Sequence, residues 1–548
     1  MNRIKFIFLS LLSLSFLASC ENEVLDDLRE NINPPVEELP ALTAGNADFS
    51  NYVALGASFT AGFTDNGLFI AAQENSFPKT IADRFALAGG GDFRQPLMND
   101  NFGGLALNGN RIADPRLVFG GAGPVPLESV IGPVEVTTDI ATNNPSGPFN
   151  NLGVPGAKSF HLVANGYGNI ANLPNANPYA VRMTGENPNA SILELAIAQS
   201  PTFFTLSEIG GNDVLGYATT GGNGTNPITD PVIFDQALGG LVNGLTSTGA
   251  DGVIANLPDI TSLSYFTTVP HNPLDPSDPN FGPLIPTLNT VYGALNQVYL
   301  FLQSQGAIND ADIRSVVFSN DAANPIVVVD ENLPDLSAQI TQILAVSPDF
   351  AALLGQFGLP PQAAPQVAAL FGQFYGQSRP ATAQDLVTLP AASIIGQVDP
   401  QTAAFLESQG LPPALAAQFS ARGVTLPMED TFVLLPEEQQ EIADATFAYN
   451  SSISAIADAN GLALVDLNSI LIEASTVGIQ FDEYFLNTDL VFGGLVSLDG
   501  IHLTARGYAL MANAFLQAID EQYGSNFAAS GNLARAGDFP TNFAPDLQ

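Results

Sequence analysis

The stretch Tyr52-Val53-Ala54-Leu55-Gly56-Ala57-Ser58-Phe59-Thr60-Ala61-Gly62 decides how the chain is read. Four residues, from Tyr52 to Leu55, form a short apolar run that ends at Gly56. Such a run between turn signals suits a strand buried in a parallel sheet. A helical pattern follows over 78–88, so Ser58 stands where strand gives way to helix. A serine there is exposed at the C-terminal edge of the sheet, where a helix N-terminus favours developing negative charge.

Outward from this point the same alternation returns. Helical patterns over 192–198, 234–245, 436–459 and 505–523 alternate with strand-like runs over 202–206, 252–256 and 463–466. Strand and helix at this spacing predict a parallel sheet covered on both faces, an α/β three-layer domain over 48–260 and 435–523. Residues 90–150, rich in Gly, Asn and Pro, read as long loops with isolated strands. The interval 261–434 reads as a long, mainly helical insertion. It holds a weak repeat, Gly358-Leu359-Pro360-Pro361 and Gly410-Leu411-Pro412-Pro413, each copy leading into an Ala/Leu/Phe-rich stretch. Proline pairs suit the first turn of a helix. The segment is open to two readings, a lid or acyl-binding cap and plain packing against the domain; apolar helix stripes favour packing.

The N-terminus opens with Arg3 and Lys5, continues with an apolar stretch over 6–16 and reaches Leu17-Ala18-Ser19-Cys20. This is the pattern of a secretory leader over 1–19, and its ending resembles a bacterial lipoprotein box with Cys20 as the lipidated residue. Acyl chains there would anchor the protein to a membrane without a span. Residues 20–47 are acidic and proline-bearing and read as a flexible tether; 524–548 read as a C-terminal tail. The expected location is the cell envelope, anchored to a membrane, the outer one.

Charge narrows the functions open to the chain. Of 548 residues, 15 are Lys or Arg and 54 are Asp or Glu, a net charge of −39. Such a surface repels phosphates, so nucleic acid is excluded as a main partner. Hydrophobic residues make up 46%, enough for a sizeable core. Cys20 is the one cysteine and there are three histidines, which rules out an internal disulfide and a typical zinc site. The acidic loop Asp275-Pro276-Ser277-Asp278 fits no EF-hand, and no metal or cofactor is expected.

Four segments carry chemistry. Ser58 needs a base to become a nucleophile, and a histidine oriented by a carboxylate is such a base. Asp499-Gly500-Ile501-His502, read as opening the last helix, supplies both. His161 and His271 have no carboxylate close by in sequence and read as structural. Gly210-Gly211-Asn212-Asp213, just after a strand, places an amide where it can donate to an oxyanion. Asn151-Leu152-Gly153-Val154-Pro155-Gly156-Ala157 offers a bare N–H at Gly156. No Gly-x-Ser-x-Gly elbow occurs, which argues against the α/β-hydrolase fold.

In this order the four segments resemble the conserved blocks of the GDSL esterases, or SGNH hydrolases. Gly56-Ala57-Ser58-Phe59 matches the first block, Gly156 the second, Gly210-Gly211-Asn212-Asp213 the third and Asp499–His502 the fourth. The resemblance implies a flavodoxin-like sheet and a serine esterase acting on small-molecule, lipid or glycan esters. It further implies Ser58 as nucleophile, His502 as base and Asp499 as its orienting partner. The oxyanion would be held by the N–H groups of Ser58 and Gly156 and by the Asn212 amide, with Asp213 fixing the loop. The chain departs from the family at Ala57, where aspartate is usual, and at Leu503, where proline commonly follows the histidine. The alternative is a non-catalytic ligand-binding or structural lipoprotein on the same scaffold.

Overall fold

A computed structural model describes residues 39–547. The leader, Cys20 and most of the tether expected from the sequence lie outside the described residues. Five strands form one all-parallel sheet: β1 Tyr52–Gly56, β2 Asn151–Gly153, β3 Phe203–Leu206, β4 Asp251–Ala255 and β5 Ala463–Val465. Their order is β5-β4-β3-β1-β2. The register is straight. Asn151, Ala54, Thr205, Val253 and Ala463 form one row across the sheet, so the strands end level and their following loops share one edge.

Among the helices are α1 Ser58–Ala61, α2 Phe77–Leu87, α3 Gly211–Thr219, α4 Pro231–Thr246, α5 Ile285–Ser304, α6 Ser337–Ala345, α7 Ala364–Tyr375, α8 Pro436–Asn460, α9 Leu467–Thr476 and α10 Ala505–Tyr523. Local chemistry sets their ends. The side chains of Ser76, Asp230 and Thr504 accept first-turn N–H groups of α2, α4 and α10, while Gly461 and Gly524 end α8 and α10 in the left-handed conformation. On one side of the sheet α2 packs on α10, with the Phe77 and Phe515 rings 5.0 Å apart. On the other α4 packs on α8, with Phe234 stacked on Tyr449 at 4.2 Å. The outcome is the three-layer α/β arrangement the alternation predicts.

One strand, β2, has no apolar signature. It is Asn-Leu-Gly, and what holds it is long-range. It pairs with β1, and the Asn151 amide donates to the Thr60 carbonyl at 2.8 Å. A Cβ on Gly153 would lie 2.3 Å from the Ala61 nitrogen, so α1 lies directly on this strand. Residues 105–126 form two short hairpins within the expected loops.

Residues 261–434 carry a second hydrophobic core around Tyr292, Tyr299, Phe350, Phe371 and Tyr375, with α6 and α7 packed on each other. Its edges interlock with the first core. Ile260, Leu263 and Phe266 bury into the sheet domain, and Val433–Leu434 pairs with Leu386–Val387. Packed chain begins before residue 48: the Thr43 N–H donates to Asn526 and the Asn46 N–H to the Tyr523 carbonyl. The tail is packed as well. Phe527 and Ala536 are buried, and the buried Arg116 guanidinium donates to the Ala544 carbonyl at 2.7 Å. Among the described residues no helix is long and apolar enough to cross a membrane.

Candidate active site

β1 ends at Gly56, where a Cβ would sit 2.1 Å from Thr60 Oγ1 and 2.6 Å from the Ser207 carbonyl oxygen; only glycine fits. Ala57 follows, and Ser58, 7% exposed, is the first residue of α1. Ala57 has no side chain able to cap this helix. Glu208, two residues past β3, does so from outside: its Oε1 accepts the N–H groups of Ala57 at 2.6 Å and Thr60 at 2.9 Å. Glu208 pays in strain and desolvation. Its φ is +44°, uncommon for a residue with a side chain, and its Oε2 is buried without a partner, as are Thr60 Oγ1 and Ser207 Oγ. Burial pushes its carboxyl up from the ordinary glutamate range.

Asn212 lies in the first turn of α3, and its Nδ2 donates to the Ala157 carbonyl at 3.0 Å. That bond ties it to the loop bearing Gly156, which is exposed and in the left-handed region at φ +78°. One Nδ2 hydrogen remains for another acceptor. Asp213, fully buried, accepts the N–H of Ser159 at 2.8 Å and its hydroxyl at 2.7 Å, fixing the same loop.

Asp499 and His502 lie in a tight loop ahead of α10, not on its first turn. The Ser497 N–H donates to the His502 carbonyl and Val496 bridges Leu503, which closes the loop, and Thr504 caps the helix. Asp499 Oδ2 meets His502 Nδ1 at 2.9 Å and accepts the Asn66 N–H at 2.8 Å, while Oδ1 accepts the N–H groups of Ile501 and His502, each at 2.8 Å. Burial alone would raise the Asp499 carboxyl, but the His502 ring and these donors outweigh it and hold it well below the usual carboxylate range.

The segment after α1 is stapled to this loop. Thr64 Oγ1 donates to the Leu503 carbonyl at 2.9 Å, the Tyr508 hydroxyl donates to the Phe63 carbonyl at 2.6 Å, and Asp65 accepts the Leu498 N–H at 3.1 Å. Burial first, and the Asp499 charge in addition, push the Asp65 carboxyl up to about 7. The Phe59 ring, next to Ser58, meets the His502 ring edge-on at 5.7 Å, with Phe63 on it at 4.7 Å. The Ser58 hydroxyl and the His502 ring make no hydrogen bond to each other.

Ser58 and Asn212 open onto one apolar cavity, walled by Leu215, Leu257, Leu471 and Met511, with Ile501 and Leu503 on either side of His502 also on its lining. Of the 261–434 segment only Leu263 reaches it, so the wall belongs to the sheet domain. His161 lies elsewhere, stacked on Tyr167 at 4.4 Å and accepting the Lys158 N–H, and burial lowers its proton affinity. His271 sits in a loop whose carbonyl accepts the Ile326 N–H.

Sequence reading alone missed Glu208, Asp65 and Asn66. The signal for Glu208 was an acidic residue directly behind an apolar strand, where an ionised side chain is costly unless it has work to do. No family model, curated protein or solved structure matches the chain.

Proposed function

We propose that the protein is a serine esterase of the SGNH-hydrolase type, anchored through Cys20 to the cell envelope. The observation that carries this reading is the part-buried Asp499–His502 pair at 2.9 Å beside the loop that follows Ser58. A carboxylate on Nδ1 fixes the tautomer in which Nε2 is unprotonated and can act as base. In the reaction His502 Nε2 takes the Ser58 proton as Oγ bonds the ester carbonyl carbon. The N–H groups of Ser58 and Gly156 and the free Asn212 hydrogen hold the oxyanion. The alcohol then leaves with the proton from His502, and water, deprotonated by the same ring, releases the acid. The apolar cavity suits an ester with an aliphatic acyl group. The 261–434 segment is a mainly helical insertion between the third and fourth blocks.

Hydrolysis of p-nitrophenyl esters by the purified chain tests this. Ser58→Ala and His502→Ala are expected to lose at least ~10³-fold in kcat, and Asn212→Ala ~10²–10³-fold. Absence of turnover across acetate to decanoate esters overturns the reading. The missing Ser58–His502 hydrogen bond favours one rival, a ligand-binding lipoprotein on the same scaffold. That rival requires thermal stabilisation by an ester or fatty acid, unchanged in Ser58→Ala, without hydrolysis.

A further inference from the structure

Three carboxylates meet where the 261–434 segment joins the sheet domain. They belong to Glu331, Asp430 and Glu438, the last in the first turn of α8. One oxygen from each lies within 4.8 Å of the others. Two of the groups are desolvated and unmatched. Glu438 is 4% exposed; its Oε2 accepts the Leu435 N–H at 2.6 Å, but its Oε1 is buried with no partner, and so is Asp430 Oδ1. Among the described residues no Lys, Arg or His forms an ion pair with any of the three. Arg422, the cation nearest Asp430 in sequence, is engaged by Asp399 and Glu429. Buried carboxylate oxygens facing one another with neither donor nor counter-charge are among the most unfavourable arrangements a fold can hold.

Backbone shape supports the same conclusion. Gly221 and Gly222, just after α3, have φ of +61° and +72°. A Cβ on Gly222 would lie 2.1 Å from Glu438 Oε1, and one on Gly221 would lie 1.8 Å from the Asp430 carbonyl oxygen. The turn therefore closes over the carboxylates where no side chain could.

We infer that Glu331, Asp430 and Glu438 form a divalent-cation site fitted to Ca²⁺. All donors are carboxylate oxygens, which select hard cations over zinc or copper. Ca²⁺ takes carboxylates in flexible geometry at ~2.3–2.6 Å, whereas Mg²⁺ demands near-ideal octahedral geometry at ~2.0–2.1 Å and gives up its waters reluctantly, so three carboxylates converging from separate segments suit Ca²⁺. The ion ties Glu331 and Asp430 of the 261–434 segment to Glu438 of α8, beside the far end of the helix that carries Asn212. No sequence motif announces the site, because Glu331 lies about a hundred positions from Asp430 and Glu438. It is independent of the esterase reading.

The test uses the whole chain, stripped with EDTA and dialysed, then titrated with CaCl₂ by calorimetry and followed by thermal unfolding. NaCl at matched ionic strength is the control, because a chain of net charge −39 gains stability from any electrolyte through screening. One Ca²⁺ per chain is expected to bind, with Tm raised by about 2–5 °C in 10 mM CaCl₂ and less in MgCl₂. Glu331→Gln, at the exposed rim, is expected to weaken Ca²⁺ binding at least ~10-fold with Tm in EDTA unchanged, and Asp430→Asn and Glu438→Gln to abolish the response. Exposed Glu437→Gln should respond as wild type. Should Glu438→Gln fail to fold, Glu331→Gln and Asp430→Asn decide. No binding heat and a Tm equal to that in matched NaCl overturn the proposal, as does wild-type Ca²⁺ affinity in both Glu331→Gln and Asp430→Asn.

Discussion

Replacing Asp499 by asparagine removes one charge and almost no volume, and its consequences follow from four hydrogen bonds. Every partner of the Asp499 carboxylate is a nitrogen: the backbone N–H groups of Asn66, Ile501 and His502, and His502 Nδ1. An amide has one oxygen. Oriented to keep the Ile501 and His502 N–H bonds, it turns its NH₂ toward Asn66 N and His502 Nδ1. The Asn66 N–H then loses its acceptor, and His502 can accept at Nδ1 only by carrying its proton on Nε2, the wrong tautomer for a base. The flipped amide strands the Ile501 and His502 N–H groups instead. Either way a bond to a charged group is lost, worth about 1–3 kcal/mol; because the Asn66 N–H lies at an exposed position where water can replace the lost acceptor, the first orientation is preferred and the total stays at about 1–3 kcal/mol in stability. The tautomer change is expected to lower kcat about 10⁴-fold with KM little altered. Turnover of p-nitrophenyl butyrate alongside chemical denaturation reads both quantities. An Asp499→Asn enzyme within tenfold of wild-type kcat would refute the assigned roles of Asp499 and His502.

Two further substitutions separate support from chemistry. Glu208→Ala leaves the Ala57 and Thr60 N–H groups without an acceptor under α1 and is expected to cost about 2–3 kcal/mol and at least ~10-fold in kcat. Glu208→Gln keeps an accepting oxygen and should restore most of both; equal loss in the two variants would show that the bonds to the turn are not what matters. Asp65 is held up at about 7 against an ordinary value of 3.8. The folded state therefore binds the proton more tightly, so this group's contribution to stability is present below pH 3.8 and is lost as pH rises toward 7. Asp65→Asn, which can still accept the Leu498 N–H, removes that loss. The stability difference, variant minus wild type, should grow by roughly 3–4 kcal/mol between pH 4 and pH 8 in urea unfolding. A difference that does not change with pH would contradict the assignment.

What the sequence made legible is what is local. β1, β3, β4 and β5 are apolar runs bounded by turn residues, and periodicity finds them. β2 has one apolar residue in three; its pairing with β1 and the Asn151–Thr60 bond are decided 90 positions away. Ser58, Asn212, Asp499 and His502 stood out because their residue types carry chemistry. Their supports did not. Asn66 acts through its backbone N–H, Asp65 meets a loop more than 430 positions downstream, and Glu208 caps a helix about 150 positions upstream. The Asp–His spacing of three suggested a helical turn, yet Gly500, with φ +78° and its carbonyl accepting the Tyr265 N–H, bends the chain into a loop. Composition left the order of the tail open, because what anchors it is distant: a backbone carbonyl of the tail is held by Arg116, more than 420 positions away.

In the proposed reaction the hydroxyl at position 58 becomes a nucleophile through the ring at 502. Treatment of the folded protein with a fluorophosphonate, followed by peptide mass mapping, measures that directly. A single adduct is expected on Ser58, formed at least ~10³-fold more slowly in His502→Ala and absent in Ser58→Ala. A folded wild type that takes no adduct, or takes it on another residue, would contradict it.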